Sequence, residues 1–313
     1  MGDVIHALPA VATLKHSFPG ARLSWAVEAR WACLLEGNPF VDRVVPFDRR
    51  SLFRLPPAWR ELRSQRYAFA LDFQGLIKSA VVAAAARPDR IYGFHQSQAR
   101  EAAAALFYSN RVRTQAAHVV DRNLELAAAA GAAGILYSFP LPAGTPEGEL
   151  PEGDFVLACP LAGWPGKQWP LERYSALAQM LRERLGLPLV VNGPENAAAA
   201  LAQAGGAIIH LSGLRGLIHA TRRATAVVGI DSGPLHLAAA LAKPGVAVFG
   251  PTDPARNGPY GATITVLRDP RALTSYKRRR EIESSMRAVA PETVFGALQE
   301  RIAGCPPPDN GPR

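Results

Sequence analysis

Three short stretches of this sequence hold residue types that could act on a phosphorylated or hydroxyl-bearing substrate. The first is MGDVIHALPA (1–10), in which Gly2-Asp3 precedes an apolar helical pattern. Two readings of Asp3 are open. It is the N-cap of that helix, a position aspartate fills well, or it is a carboxylate that takes the proton of a hydroxyl nucleophile. The second stretch is GWPGKQWP (163–170), directly after the strand-like DFVLACP (154–160). A glycine-flanked turn after a strand lets backbone N–H groups approach a phosphate, and Lys167 adds a point charge. The plainer alternative is a Gly/Pro turn with an exposed lysine. The third is GIDSGPLHLAAALAKPGVAVFGPTDP (229–254). A strand ends at Ile230-Asp231, Ser232-Gly233 turns the chain, and Pro234 suits the first helical position. The N–H groups near 233–235 form an anion site at the positive end of that helix. Asp231 and His236 lie at its mouth, and His236 reads either as a core histidine or as a group facing the bound anion.

A fourth feature is the segment 49–66, with six arginines and one glutamate. Arg49, Arg50, Arg54, Arg60 and Arg63 are its candidates for contact with an anionic acceptor or a membrane surface. The alternative is a solvated helix face.

Such loops need rigid elements behind them. Strand-like segments at 21–28, 43–47 and 67–73 alternate with helical patterns at 5–18, 29–37 and 76–87. Residues 139–154 hold four prolines, three glycines and four acidic residues, which is a linker composition. Alternation then resumes, with strands at 154–160, 187–193, 207–213, 226–231 and 246–250 and helices at 171–186 and 234–243. Strand–helix alternation predicts an α/β fold of parallel sheets. Two such halves joined by a linker would leave a cleft between them, with the loops above at the carboxyl ends of strands. The expected organisation is a first domain over 1–145, a second over 154–290, a helix over 291–304 and a disordered tail over 305–313.

With 313 residues the chain suits two domains at roughly 100–200 residues each. Its 48% apolar and 19% charged composition excludes a disordered chain. No apolar run reaches the ~18–20 residues of a membrane span. Cys33, Cys159 and Cys305 form neither a CxxC pair nor a zinc spacing, which points to a reducing, cytoplasmic setting. The net charge of +9 favours an anionic partner. Nucleic acid is not expected, because basic and aromatic residues are not interleaved. GxGxxG after a strand, GxxxxGK[ST], HExxH and GxSxG are all absent, which argues against a dinucleotide dehydrogenase, a P-loop NTPase, a zincin and a serine hydrolase.

Taken together and in order, MGDVIHALPA (1–10), DFQGLIKSA (72–80), the IYGF…RE…FY run (91–108), HVVDRNLELA (118–127), GKQWP (166–170), GIDSGPLHLAAAL (229–241) and FGPTDPARNGPYG (249–261) resemble the heptosyltransferases of glycosyltransferase family 9. Within that family they look like the type that adds the first heptose of the lipopolysaccharide inner core. The resemblance implies a GT-B fold of two Rossmann-like domains, with the acceptor on the first and the donor on the second. It implies inverting transfer of heptose from ADP-heptose to a Kdo sugar of lipid A, at the cytoplasmic face of the inner membrane. By the same resemblance Asp3 is the catalytic base. Lys167 contacts the donor's phosphates, and Asp231, Ser232, Gly233 and His236 hold the donor nucleotide and sugar. Glu195, in VVNGPEN (190–196), falls where an acidic residue meets the ribose. ADP-heptose enters as a substrate, and no cofactor or metal is expected.

The sequence departs from the family pattern in three places. The family begins with a β-strand before the Gly-Asp turn, and this sequence opens at the turn, so that strand is expected to be missing. KRRREIESSMRAVAPETV (277–294) lacks the cysteine many members carry there. Proline follows Asp231-Ser232-Gly233, where it suits a first helical turn. Two alternatives stay open: a related transferase with another heptose acceptor or sugar donor, and an inactive nucleotide-binding remnant.

Overall fold

The computed structural model describes residues 1–47 and 55–304. One compact unit runs to Pro142 and a second begins at Ala143.

The second unit is built on a sheet of six parallel strands: β6 (Val156–Ala158), β7 (Leu189–Gly193), β8 (Ile208–Leu211), β9 (Ala226–Ile230), β10 (Gly245–Phe249) and β11 (Ile264–Arg268). Their spatial order is β11-β10-β9-β6-β7-β8. Numbered from the unit's own first strand this is 3-2-1-4-5-6, the order of a Rossmann sheet. Every residue of β6, β7, β9 and β10 is buried, which is why these strands read as unbroken apolar runs. Alternate side chains serve opposite faces. Val156, Val191, Val228 and Val248 share one core with Leu177 and Leu181 of α5 (Leu171–Leu185) and with Val294, Phe295 and Leu298 of α11 (Pro291–Ala303). Leu157 and Val227 turn to the other face, beside Thr221 of α7 (Leu214–Arg223) and Leu235 and Ala238 of α8 (Gly233–Ala240). Gly186 ends α5 in the left-handed conformation at φ 67°, as a helix-stopping glycine does.

The first unit opens with α1 (Gly2–Ser17), buried continuously from Val4 to Leu14. A helix apolar all round must be covered all round. Its strands are also parallel but fall into two sheets. One pairs β1 (Ser24–Glu28) with β2 (Arg43–Phe47), and the other holds β3 (Ala70–Asp72), β4 (Ile91–Phe94) and β5 (Asn110–Val112). Among the described residues β2 pairs only with β1, and this edge position explains how Pro46 sits in a strand. Helices α2 (Leu55–Leu62), α3 (Ile77–Ala85) and α4 (Val119–Ala129) complete the unit. The segment 29–37, expected as a helix, forms a 3₁₀ turn over Ala29–Leu35. Gly37 at φ 66° stops it after that short run.

Asp72, at the end of β3, is buried and accepts four hydrogen bonds. They come from Gln74 N (2.9 Å), Gly75 N (3.3 Å), Ser79 Oγ (2.8 Å) and Tyr108 Oη (2.6 Å). Desolvation nevertheless outweighs these donors and pushes its carboxyl above the ordinary value. Gly93 of β4 lies under the Tyr108 ring, where an added Cβ would overlap it. Gly93→Ala is therefore expected to displace Tyr108 and cost about 1–3 kcal/mol, read as a lower Tm.

The linker-like 139–154 is bound from Ala143 onward. Thr145 N donates to Arg215 O (3.3 Å), and Gly144, at φ 77°, lies against the backbone of Arg215 and His219, which leaves no room for a side chain. Glu147 Oε2 accepts from Gly213 N (2.7 Å) at the start of α7, and buried His210 meets Glu147 O through Nε2 (2.5 Å). Arg223 donates to Pro151 O and Glu152 O.

Candidate active site

Each unit carries its own cluster of functional groups. In the first, α1 starts two residues earlier than the N-cap reading of Asp3 requires. Met1 takes the N-cap position and Asp3 lies inside the first turn. Its carboxylate is therefore committed to other partners. Arg100 grips it with both terminal nitrogens, Nη2 to Oδ1 (2.9 Å) and Nη1 to Oδ2 (3.0 Å), and Gln74 Nε2 donates to Oδ2 (2.8 Å). A bidentate guanidinium–carboxylate pair is both strong and geometrically specific. Desolvation works to raise the Asp3 pKa, but the Arg100 charge, its hydrogen bonds and that of Gln74 prevail and hold the carboxyl below its ordinary value. Asp3 is thus ionised, oriented and partly open to solvent, its side chain 34% exposed.

Two loops deliver these partners. Asp72 folds the DFQG turn through its bonds to Gln74 N and Gly75 N, which aims Gln74 at Asp3. Gly75, at φ 66°, rests 3.2 Å from the Ala99 and Arg100 backbone, measured from where a Cβ would stand. Glu101 ties the loops together: its N donates to Gly75 O (3.0 Å) and its Oε2 accepts from Ile77 N (2.7 Å). Gln74 and Arg100 were not singled out from sequence, although both lie in stretches that carried the family resemblance. The signal was the Arg-Glu pair following a strand, read there without a role for either residue.

The second unit's cluster sits where the order of its sheet reverses, at the carboxyl ends of β6 and β9. Adjacent strands there send their following loops in opposite directions, and such a switch point is the ligand site of open α/β sheets. Lys167, in the 3₁₀ turn Pro165–Lys167 after β6, and Asp231, directly after β9, meet as a part-buried ion pair at 3.0 Å. His236 Nε2 lies 3.8 Å from the other Asp231 oxygen. Burial acts to raise the Asp231 pKa, yet His236 and Lys167 override it and hold the carboxyl at about 2. Lys167 also lies 5.5 Å over the Trp164 ring. Trp169 is fully buried and donates to Val289 O (3.0 Å), which anchors the far end of the loop.

At the start of α8, Ser232 is the N-cap residue but makes no side-chain cap bond. Pro234 carries no N–H, so the amides of the first turn that can meet an anion are those of Gly233 and Leu235 rather than a run over 233–235. His236 N returns to Ser232 O (3.4 Å). Glu195 follows β7 in the turn Glu195–Ala197 and is exposed. Among the described residues no three His, Cys, Asp or Glu side chains gather as a metal-binding group.

Of the arginine candidates, Arg49, Arg50 and Arg54 lie outside the described residues. Arg60 is exposed, and exposed Arg63 donates through Nε to Ala85 O (3.0 Å) at the end of α3, a helix-capping contact. No helix among the described residues is long and apolar enough to cross a membrane.

The family model for glycosyltransferase family 9 (heptosyltransferase) matches residues 57–288. Lipopolysaccharide heptosyltransferase 1 of Escherichia coli K12 is 32% identical over 296 residues, covering 87% of this chain and 91% of that protein. The structure of the E. coli heptosyltransferase WaaC with ADP superposes at a TM-score of 0.75, with 27% identity over 96% of this chain and 97% of that one. The same enzyme with ADP-2-deoxy-2-fluoro heptose gives a TM-score of 0.73, covering 96% of each chain.

Proposed function

Because the chain belongs to glycosyltransferase family 9, we propose that it transfers L-glycero-D-manno-heptose from ADP-heptose, with inversion, to a Kdo residue of lipid A. The observation that carries this reading is the Lys167–Asp231 pair beside the α8 N-terminus, at the switch point of a Rossmann sheet. The relative's complexes with ADP and with a fluorinated ADP-heptose support this donor.

In this mechanism the acceptor oxygen attacks the anomeric carbon opposite the diphosphate. The bond from that carbon to the diphosphate oxygen breaks, and its electron pair leaves with ADP. The acceptor proton passes to Asp3, which Arg100 and Gln74 hold ionised and oriented. A carboxylate with a depressed pKa suits late proton transfer, when the attacking oxygen has already become acidic. Lys167 and the first-turn amides of α8 offset the charge gathering on the diphosphate. Asp231 and His236 fix Lys167 and face the donor, and Glu195 meets the ribose. Single displacement inverts the anomeric centre and leaves no covalent enzyme intermediate.

Catalysis through a lysine and a helix N-terminus requires no metal, so turnover is expected to be the same with EDTA as without it; a requirement for added Mg²⁺ would contradict this. The protein works as a peripheral enzyme at the cytoplasmic face of the inner membrane, where the acceptor lies. The deciding test is incubation with ADP-heptose and Kdo-lipid A, followed by product mass and anomeric configuration. One added heptose with inverted configuration is expected. Transfer from a UDP-sugar instead, or transfer only to a heptosylated acceptor, would assign another member of the family. ADP binding without transfer to any acceptor would mark a nucleotide-binding remnant.

Arg100 supplies a pH test. Its charge lowers the Asp3 pKa, so removing it moves that pKa up, and Asp3 becomes protonated at higher pH. Arg100→Gln is expected to shift the acidic limb of the kcat/KM profile upward. An unmoved limb would mean that Asp3 is not the group it reports.

A further inference from the structure

We infer that the basic run Lys277–Arg280 is a second diphosphate-binding element of the donor site, an inference that rests on the donor reading above. After β11 the chain turns back across the carboxyl ends of the sheet. Ser275 N donates to Pro251 O (2.7 Å), in the loop following β10. Glu283 N reaches Gly166 O (3.4 Å), and Glu281 O stands 3.4 Å from where a Cβ on Gly166 would be. Gly166 immediately precedes Lys167. The run is thus held at both ends to loops on the ligand edge of the sheet, one of them the phosphate loop itself.

Charge balance gives the run its task. Lys167 is already paired with Asp231, so together they bring almost no net charge to an incoming diphosphate. The α8 N-terminus adds roughly half a unit charge. A nucleoside diphosphate carries several negative charges, and more still as the sugar departs. The run supplies four cations in succession. Arg279 is tied to Glu283 at 3.2 Å, which braces the segment. Lys277, Arg278 and Arg280 are exposed and form no ion pair with a described residue. Adjacent like charges repel one another, and an anion at the ligand edge relieves that repulsion.

The same loop exposes Leu273, so an anionic lipid surface is the competing occupant, and the test separates the two. The triple variant Lys277→Ala/Arg278→Ala/Arg280→Ala and the parent are titrated calorimetrically with ADP and with adenosine at two salt concentrations. We expect ADP binding to weaken about tenfold or more and to lose salt sensitivity, with adenosine binding unchanged, as befits lost charge-assisted phosphate contacts. Arg278→Lys/Arg280→Lys should retain most of the affinity. Equal melting temperatures without ligand verify that each variant is folded. An unchanged ADP affinity and salt slope overturn the proposal. So does unchanged ADP affinity with lost co-sedimentation on phosphatidylglycerol/phosphatidylcholine vesicles, which assigns the run to lipid. If the parent itself fails to bind ADP, the donor reading falls first and this inference with it.

Discussion

Replacing Asp3 with alanine is expected to lower kcat by about 10²–10⁴, the range a general base contributes, with ADP affinity nearly unchanged. The expectation rests on how Asp3 is held. A carboxylate that merely capped α1 would spend its oxygens on the helix amides, but both of these oxygens face a guanidinium and an amide from two other loops. Alanine removes the proton acceptor and leaves Arg100 without its partner. Asp3→Asn keeps the shape and the Gln74 side of the network, but it cannot take a proton. If Asp3→Asn turns over at the parental rate, Asp3 is a structural ligand of Arg100 and the base lies elsewhere. Single-turnover rates with saturating donor would separate the chemical step from binding.

Lys167→Ala is expected to cost about 10²–10³ in kcat, the scale for losing one preorganised group aimed at developing charge. A second effect acts in the same direction. Asp231 is held at about 2 by His236 and Lys167 together, and without the lysine a buried carboxylate confronts the donor's phosphates. ADP affinity should therefore fall in Lys167→Ala, and Lys167→Ala/Asp231→Asn should recover part of the affinity but not the rate. This non-additivity is the measurement to make, since contacting charges couple strongly. If the two single substitutions add independently in kcat and in affinity, the ion pair is a scaffold feature with no part in holding the diphosphate.

The cluster in the second unit was legible in the sequence because burial writes itself plainly there. Val190-Val191, Ala226–Ile230 and Val246–Phe249 are buried on both faces and read as apolar runs bounded by glycine and proline. The turns after them, with Lys167 and Asp231, were therefore placeable at strand ends. That the two meet at 3.0 Å across 64 positions was not legible from local pattern, since it follows from strand order. Gln74 and Arg100 were harder still. They are polar residues in loops, without periodicity, and it is the packing of Gly75 against the Arg100 backbone and the bonds of Glu101 to the DFQG turn that make them neighbours. The N-cap reading of Asp3 was offset by two positions from the true helix start, a boundary that local propensity rarely fixes. Short strands such as β4 and β5 escaped for lack of length, their limits set by partners rather than by their own sequence.

The fastening of the proline-rich stretch decides where the molecule can be divided. Judged by secondary structure alone, the second half would be excised near Asp154, just before β6. A fragment cut there would strip Glu147 from the amide of Gly213, leave the imidazole of His210 facing an empty space, and take away both carbonyls that hold Arg223. A fragment beginning at Ala143 keeps all of these. The stretch that looks like a tether in composition is, for most of its length, upholstery on the half that follows it.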